Sequence, residues 1–182
     1  MNKKELFKSN FYLKYTAPNA KQLINVINTY TEIDNSKFKW GKRCDVDKIP
    51  LKWKDFLDLL NPSIDLIAKE FNTIINYTMY DPWLSLYKRG QHQEIHEHCG
   101  NDISCVFFAN SGEGFADFYF SDRNSIFLTE RVKKLINYKP IYVPEINAGD
   151  ILFFPSNMAH GVSPHKSDVI RKTLAVNFTI NS

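Results

Sequence analysis

The sequence predicts a mainly β fold with amino-terminal helices, an α+β chain whose core is a β-sandwich or a barrel of the jelly-roll type. From residue 77 onward, short runs rich in β-branched and aromatic residues follow one another and are separated by turn residues. Aromatic residues make up 14% of the chain, which favours strands and an apolar pocket wall. Before residue 77, apolar residues recur at helical spacing instead.

The length of 182 residues favours one domain, in which residues 1–76 are mainly helical support and residues 77–182 form the jelly-roll core. The pattern before the core predicts, in chain order, an edge strand within 1–16, a helix over 20–30, a loop over 31–51, and two short helices over 53–60 and 62–71. The last two are separated at Pro62, because proline interrupts a helix interior but suits a first helical position.

The core pattern predicts eight strands with turn residues between them. They are Trp83–Lys88, Gln93–His98, Ile103–Ala109, Phe115–Phe120, Ile141–Val143, Ile151–Phe154, His160–Ser163 and Thr173–Ile180. Between Asp122 and Tyr138 the charge pattern is compatible with a helix, and we expect an inserted loop or short helix there. Our hypothesis is that this insertion acts as a lid over the mouth of the core.

Composition limits the partners and the compartment that we expect. The net charge is +3 and the basic residues are scattered, which argues against nucleic acid as a partner. No apolar run has the length of a membrane span, and residues 1–7 lack the apolar run of a signal peptide. The three cysteines show no paired spacing. We therefore expect a cytoplasmic monomer or homodimer that binds neither nucleic acid nor a membrane.

The stretch Tyr87–His98 organises the rest of the chain, because it holds three of the five histidines. Read as a strand, its side chains alternate between two faces. His92, Glu94, His96 and His98 would then point the same way. Four potential metal ligands or bases on one face indicate a chemical site.

A non-haem iron site commonly uses two histidines and one carboxylate on a single face, which leaves coordination positions open. One ligand must come from a distant strand, and His160 fits because it follows an apolar strand and precedes a turn. The near pair stays open at this point. His92-x-Glu94 is a literal histidine-x-acid match, whereas His96-x-His98 has a histidine in place of the acid.

An anion clamp is predicted at the start of the last strand. The Arg171 guanidinium can hold a carboxylate through two parallel hydrogen bonds. Thr173 lies two residues on, faces the same way and can add a hydroxyl. Asn177 would face the interior with them and therefore needs a partner there.

Taken together and in order, seven segments resemble the 2-oxoglutarate/Fe(II)-dependent dioxygenases, in particular the small prolyl-hydroxylase-like branch found in marine bacteria and phages. The segments are Tyr87-x-x-Gly90, His96-x-His98, Ser104–Phe108, Phe118–Asp122, Gly149–Ser156, His160-x-Val162-x-Pro164, and Arg171 with Asn177-Phe178. They span about residues 77–180, more than half of the chain. The resemblance implies a double-stranded β-helix, which is a jelly roll.

The resemblance also implies roles for site residues. In such relatives the first metal ligand lies six residues after the glycine, which favours His96 over His92. The acid position is filled by His98, so the resemblance implies either three histidine ligands, His96, His98 and His160, or a two-histidine site that is completed by water. Glu94 could instead orient a ligand imidazole from behind.

The same resemblance implies a co-substrate site formed by Arg171 with Thr173 and Tyr87. Relatives often place a second tyrosine on the following strand. Phe108 stands at that position here, so Ser104 or Asn177 is the expected substitute. For any one phenylalanine of the core, packing is the simpler role.

The implied activity is that of an Fe(II)- and 2-oxoglutarate-dependent dioxygenase, an enzyme that uses O2 to hydroxylate an unactivated C–H bond. Prolyl or another protein or peptide residue is the leading substrate by analogy, and a small molecule is the alternative. If the gene is phage-encoded, the compartment is the host cytoplasm. Two other readings stay open: a cupin-like metal-binding enzyme without 2-oxoglutarate, and a non-catalytic jelly-roll binding module.

Overall fold

The computed structural model of the chain describes residues 10–30 and 44–181. Within these ranges the strands are β1 (Leu13–Thr16), β2 (Cys44–Asp45), β3 (Asp47–Pro50), β4 (Tyr77–Met79), β5 (Trp83–Tyr87), β6 (His92–His96), β7 (Ile103–Phe108), β8 (Phe118–Ser121), β9 (Ile141–Tyr142), β10 (Asp150–Pro155), β11 (His160–Val162) and β12 (Arg171–Ile180). The helices are α1 (Ala20–Asn28), α2 (Trp53–Glu70) and α3 (Glu130–Leu135). All eight strands predicted in the core are present, with ends that differ from the prediction by at most three residues.

The described strands form two antiparallel sheets that face each other. The seven-stranded sheet has the order β1-β10-β7-β12-β5-β3, with β4 also paired to β12, and the five-stranded sheet has the order β2-β6-β11-β8-β9. Phe108 and Phe154 from the first sheet meet Phe118 and Phe120 from the second in one buried cluster. This arrangement confirms the predicted mainly β jelly roll with amino-terminal helices.

The outer face of the seven-stranded sheet is covered by α1 and α2. Ile151 and Phe153 of β10 pack with these helices in one cluster, whereas Leu152 and Phe154 point into the sandwich between the sheets. Both faces of β10 are therefore buried, which explains its uninterrupted apolar sequence. The helices serve as the support that the sequence predicts for this part of the chain.

Helix α2 runs unbroken through Pro62, so the predicted break between two short helices is wrong. The buried hydrophobic side chains along one stripe of α2 are Phe56, Leu60, Ile64 and Ile67. Since each such side chain contributes about 1.5–3 kcal/mol on burial, the stripe outweighs the roughly 3 kcal/mol that an interior proline costs. None of the helices in the described ranges is long and apolar enough to cross a membrane.

The segment before α2 departs from the prediction. β1 agrees with the expected edge strand, while residues 1–9 lie outside the described residues. The loop predicted over 31–51 is wrong at its end, where β2 pairs with β6 and β3 pairs with β5. Residues 31–43 lie outside the described residues. β3 is short and polar, so its pairing with β5 defines it, and its own sequence pattern does not.

The insertion after β8 contains a 3-10 helix (Arg123–Phe127) followed by α3. Thr129 caps α3, because its side-chain oxygen accepts a hydrogen bond from the Val132 amide at 3.3 Å. Arg123 pairs with Glu97 at 2.7 Å, which connects the insertion to the segment that follows β6. The short helix agrees with the expectation, and the lid role stays a prediction.

Candidate active site

A β-bulge in the pairing of β6 with β11 decides which side chains face the interior. His160 pairs with His96 and Val162 pairs with Gln93, so the single residue Gly161 of β11 lies opposite two residues of β6, Glu94 and Ile95. Gln93 is buried as a result and Glu94 is exposed. The expected strict alternation, with Glu94 and His96 on one face, is therefore wrong.

Three histidines meet at the end of these strands. Ring centroids are 4.9 Å apart for His96 and His98, 4.3 Å for His96 and His160, and 5.2 Å for His98 and His160. One ring nitrogen from each can be chosen so that all three lie within 4.8 Å of one another. The structure therefore brings together the three residues that were predicted to bind the metal.

Backbone carbonyls set the tautomers of two of these rings. Nδ1 of His96 lies 2.8 Å from the Glu94 carbonyl oxygen, and Nδ1 of His160 lies 2.8 Å from the Met158 carbonyl oxygen. A carbonyl only accepts, so each Nδ1 donates its hydrogen in the neutral ring. The lone pair of each ring is then on Nε2, the atom left for a metal.

Burial keeps the histidines neutral. It lowers the pKa of His96, and it lowers the pKa of His160 well below its usual range. Burial lowers the pKa of His98 to about 3, and repulsion from a protonated His96 and from Lys48 adds to the effect. Neutral imidazole is the form that binds metals, so no proton competes for these nitrogens near neutral pH.

Gln93 joins the histidine cluster to Tyr87. The Tyr87 hydroxyl lies 2.9 Å from Oε1 of Gln93, and Nε2 of Gln93 lies 3.0 Å from Nε2 of His96. Sequence reasoning missed Gln93, because ordinary strand alternation places it on the face opposite to His96. Only the bulge brings both side chains to the same side.

Arg171 lies at the start of β12, paired with Tyr87 across the strands. Its side chain is 3% exposed, and its guanidinium carbon lies 4.8 Å from the centre of the Tyr87 ring and 5.4 Å from that of Phe108. Burial lowers the pKa of Arg171. Its Nη1 has no hydrogen-bond partner among the described residues. A buried donor of this kind matches an incoming carboxylate.

A narrow cavity of about 30 Å³ lies between these side chains. Its lining residues are Trp83, Ser85, Tyr87, Gln93, His96, His98, Val106, Phe118, His160, Val162, Arg171, Thr173 and Ala175. The lining contains no carboxylate. A metal at this place would therefore have only neutral protein ligands, and Arg171 is the cation that lines the cavity.

The family model described as "Putative 2OG-Fe(II) oxygenase" matches residues 81–177, which is more than half of the chain. The chain belongs to this 2OG-Fe(II) oxygenase family. Membership confirms the predicted class of enzyme and its use of Fe(II), 2-oxoglutarate and O2. No curated protein matches the sequence significantly.

Solved structures agree with this fold. HygX from Streptomyces hygroscopicus, solved with nickel and 2-oxoglutarate, matches 95% of this chain and 84% of its own at 10% identity and a TM-score of 0.68. An oxidoreductase of the 2OG-Fe(II) oxygenase family from Burkholderia pseudomallei matches 92% of this chain and 84% of its own, at 12% identity and a TM-score of 0.64. The viral collagen prolyl hydroxylase of Paramecium bursaria Chlorella virus-1 matches 92% of this chain and 94% of its own, at 14% identity and a TM-score of 0.59. At these identities the likeness establishes the fold alone.

The cavity of this oxygenase fits the groups that the family name states. Three neutral imidazoles within reach of one point suit a divalent metal, and the unpartnered Nη1 of Arg171 suits a carboxylate. Thr173 is buried and lines the cavity together with Arg171 and Tyr87. Which of these residues touch iron and co-substrate stays a prediction.

Ser104 and Asn177 are not brought to the cavity of the oxygenase. The Ser104 hydroxyl donates to Oδ1 of Asn177 at 2.9 Å and shares a second hydrogen bond of 2.9 Å with the Ser156 hydroxyl. Asn177 thus finds the interior partner that it needs in Ser104. The described cavity lining includes neither residue, so nothing in the geometry supports their predicted contact with the co-substrate.

His165 directly follows Pro164, where a histidine is most simply exposed, but it is only 1% exposed. Its Nδ1 accepts a hydrogen bond from the Ala116 amide at 3.1 Å, and its Nε2 donates to the Val169 carbonyl oxygen at 2.8 Å. Both ring nitrogens are thus used to hold loops together. His92 is half-buried and lies outside the cavity lining, so it is not brought to the three clustered histidines.

Lys48 is a second residue that sequence reasoning missed. It is 6% exposed, and it is paired with Ser85, a residue of the cavity lining. Its ammonium nitrogen lies 5.4 Å from the centre of the Trp83 ring, and the Trp83 ring lies 5.6 Å from the His98 ring. The Lys48 charge adds to the positive potential at the histidines. No sequence signal marks it, because it lies in a segment that was read as a loop.

A wider cleft of about 550 Å³ opens beside the start of β11. Its walls include Tyr12, Phe120 and Tyr142, and Met158 and Ala159 line it directly before His160. The Tyr12 ring stacks on Phe120 at 5.5 Å. The cleft has the volume of an ordinary small-molecule or peptide-side-chain site.

Proposed function

We propose that this oxygenase hydroxylates an unactivated C–H bond, with Fe(II) held by His96, His98 and His160. The observation that carries the proposal is the convergence of three neutral imidazoles, all within 4.8 Å, in a cavity whose lining has no carboxylate. When bound, Fe(II) with 2-oxoglutarate and O2 supplies an oxidative decarboxylation that is coupled to hydroxylation of a substrate.

The residues around the cavity orient and bind. The Glu94 and Met158 carbonyls hold Nδ1 of His96 and of His160, which leaves Nε2 of each ring as the atom for the metal. Arg171 holds the far carboxylate of 2-oxoglutarate through its unpartnered Nη1, and Thr173 adds a hydroxyl beside it. The buried aromatic cluster behind them excludes water.

The substrate that we propose is a prolyl or other residue of a peptide or protein, with a small molecule as the alternative. The fold is shared with a viral collagen prolyl hydroxylase and with HygX, which has been solved with hygromycin B bound. The cleft beside His160, walled by Tyr12, Phe120 and Tyr142, is the proposed place of substrate entry. Its size suits either class.

Iron-dependent release of succinate from 2-oxoglutarate tests this function. We expect turnover by the wild type, even without the substrate, and its loss in His160→Ala and Arg171→Ala. His92→Ala and Arg89→Ala are the matched controls, since neither residue lines the cavity and Arg89 pairs with exposed Asp168 at 2.6 Å. Wild-type protein that neither binds nor decarboxylates 2-oxoglutarate in the presence of Fe(II) would refute the proposal.

The same assay separates the other readings. Family membership argues against the cupin-like alternative, under which Arg171→Ala would leave the oxygenase reaction unchanged. The non-catalytic binding module predicts no iron-dependent decarboxylation at all. His98→Asp reports on the third ligand: retained or improved turnover with altered metal affinity supports ligation, whereas unaltered metal affinity argues against it.

A further inference from the structure

The hydrogen bonds of Gln93 have a single consistent direction. Nδ1 of His96 donates to the Glu94 carbonyl, so Nε2 of His96 accepts and the Gln93 amide nitrogen donates to it. Oε1 of Gln93 then accepts the hydrogen of the Tyr87 hydroxyl. The amide is 8% exposed and connects the metal-site histidine to a wall of the co-substrate cavity.

The same lone pair is needed for iron. A nitrogen lone pair that accepts a hydrogen bond at 3.0 Å cannot at the same time coordinate a metal, so the Gln93 amide and the metal compete for His96. A metal must displace the amide, which leaves a buried N–H without its acceptor. Such a donor is costly until it finds another acceptor.

We propose that Gln93 is a two-position residue: its amide caps Nε2 of His96 before metal binds, and afterwards donates to an oxygen of the metal-chelating end of 2-oxoglutarate. This inference rests on the proposed function and adds a positioning role for a residue of the same site. The co-substrate brings carboxylate and keto oxygens into a cavity that has no carboxylate of its own. Tyr87 keeps the amide oriented in both positions through Oε1.

The inference predicts opposite effects on two equilibria. Gln93→Leu removes the competitor, so Ni²⁺ alone should bind about two- to tenfold more tightly, the worth of one hydrogen bond. The same variant removes a donor to the co-substrate, so 2-oxoglutarate should bind the Ni²⁺-loaded protein about two- to tenfold more weakly. A purely structural role would weaken both.

Neither measurement needs turnover. Nickel affinity is measured by competition with a chromophoric chelator, and 2-oxoglutarate binding to the nickel-loaded protein by calorimetry. Gln93→Met repeats the test with an unbranched side chain if the leucine variant does not fold. Arg89→Met is the control, because Arg89 pairs with exposed Asp168 and does not line the cavity. Changes of the same sign, or no change beyond the control, would overturn the inference while wild-type binding of nickel and 2-oxoglutarate stands. Failure of the wild type to bind nickel would overturn both the metal site and the inference.

Discussion

Replacing Arg171 by methionine should separate the stability of this oxygenase from its affinity for the co-substrate. The guanidinium is 3% exposed and its Nη1 has no hydrogen-bond partner among the described residues, an arrangement that costs about 1–3 kcal/mol. Its contacts with the rings of Tyr87 and Phe108, at 4.8 and 5.4 Å, stabilise the folded protein by about 0.5–2 kcal/mol. The two effects nearly offset, so we expect the free energy of unfolding to change by less than about 1.5 kcal/mol.

The effect on binding should be far larger. Truncating one partner of a buried, hydrogen-bonded charge pair costs about 2–5 kcal/mol. The affinity for 2-oxoglutarate should therefore fall by about 30- to 5000-fold in Arg171→Met. Lysine at this position should restore only part of the affinity, because an ammonium cannot form the two parallel hydrogen bonds of a guanidinium.

Two measurements check this prediction. Urea unfolding of metal-stripped protein gives the stability, and calorimetric titration of 2-oxoglutarate into nickel-loaded protein gives the affinity. Arg89→Met is the control, since its ion pair with Asp168 is exposed and screened by water, and Arg89 does not line the cavity. A loss of several kcal/mol of stability in Arg171→Met would show that the guanidinium is a structural group. Co-substrate affinity within threefold of the wild type would refute the clamp.

Three further predictions concern the histidines and β11. His98 has a pKa of about 3 in the folded protein and about 6.5 in the unfolded chain. As the pH falls, the unfolded chain therefore takes up this proton before the folded protein does. The free energy of unfolding of the metal-stripped protein should therefore be highest above pH 6.5, and this residue alone should lower it by about 2 kcal/mol at pH 5. Urea unfolding at both pH values measures the difference, and equal free energies would contradict the prediction. In His98→Asp, nickel affinity should change by about tenfold or more if this position coordinates, whereas Arg89→Met, outside the cavity lining, should match the wild type in the same chelator competition. Gly161→Ala places a methyl group 2.6 Å from the Tyr119 hydroxyl and 3.1 Å from the Gln93 carbonyl oxygen. We expect the free energy of unfolding to fall by about 1–3 kcal/mol, because the neighbours must move apart. An unchanged midpoint in thermal or urea unfolding would contradict the packing.

The strands of the core could be predicted because each is a short run of β-branched or aromatic residues bounded by turn residues. The run Ile151–Phe154 lies inside β10, and the final strand begins only two residues before its predicted start. Helix α2 could not be predicted as one element. Pro62 is a strong local signal, and only the tertiary burial of the stripe on both sides of it overrides that signal.

The sequence predicts those residues of the candidate site that motif spacing identifies. It does not predict the residues that reach the site only through an irregularity of the backbone. His96 and His160 meet as the spacing implies. Gln93 enters the site through a bulge that leaves no trace in the residue pattern, since Glu94 and Ile95 alternate like any strand. Lys48 enters through a strand too short to recognise without its partner β5.

The proposed set of neutral ligands connects the separate features of this site. A site with two histidines and one carboxylate offsets one of the two charges of the iron, whereas three neutral imidazoles offset none. With Arg171 in the lining and Lys48 near the Trp83 ring, 2-oxoglutarate would supply the negative charge that the proposed protein ligands lack. The site should therefore tolerate a carboxylate at position 98 at the cost of weaker co-substrate binding. Measured on nickel-loaded protein, a 2-oxoglutarate affinity in His98→Asp that equals or exceeds that of the wild type would contradict this electrostatic account.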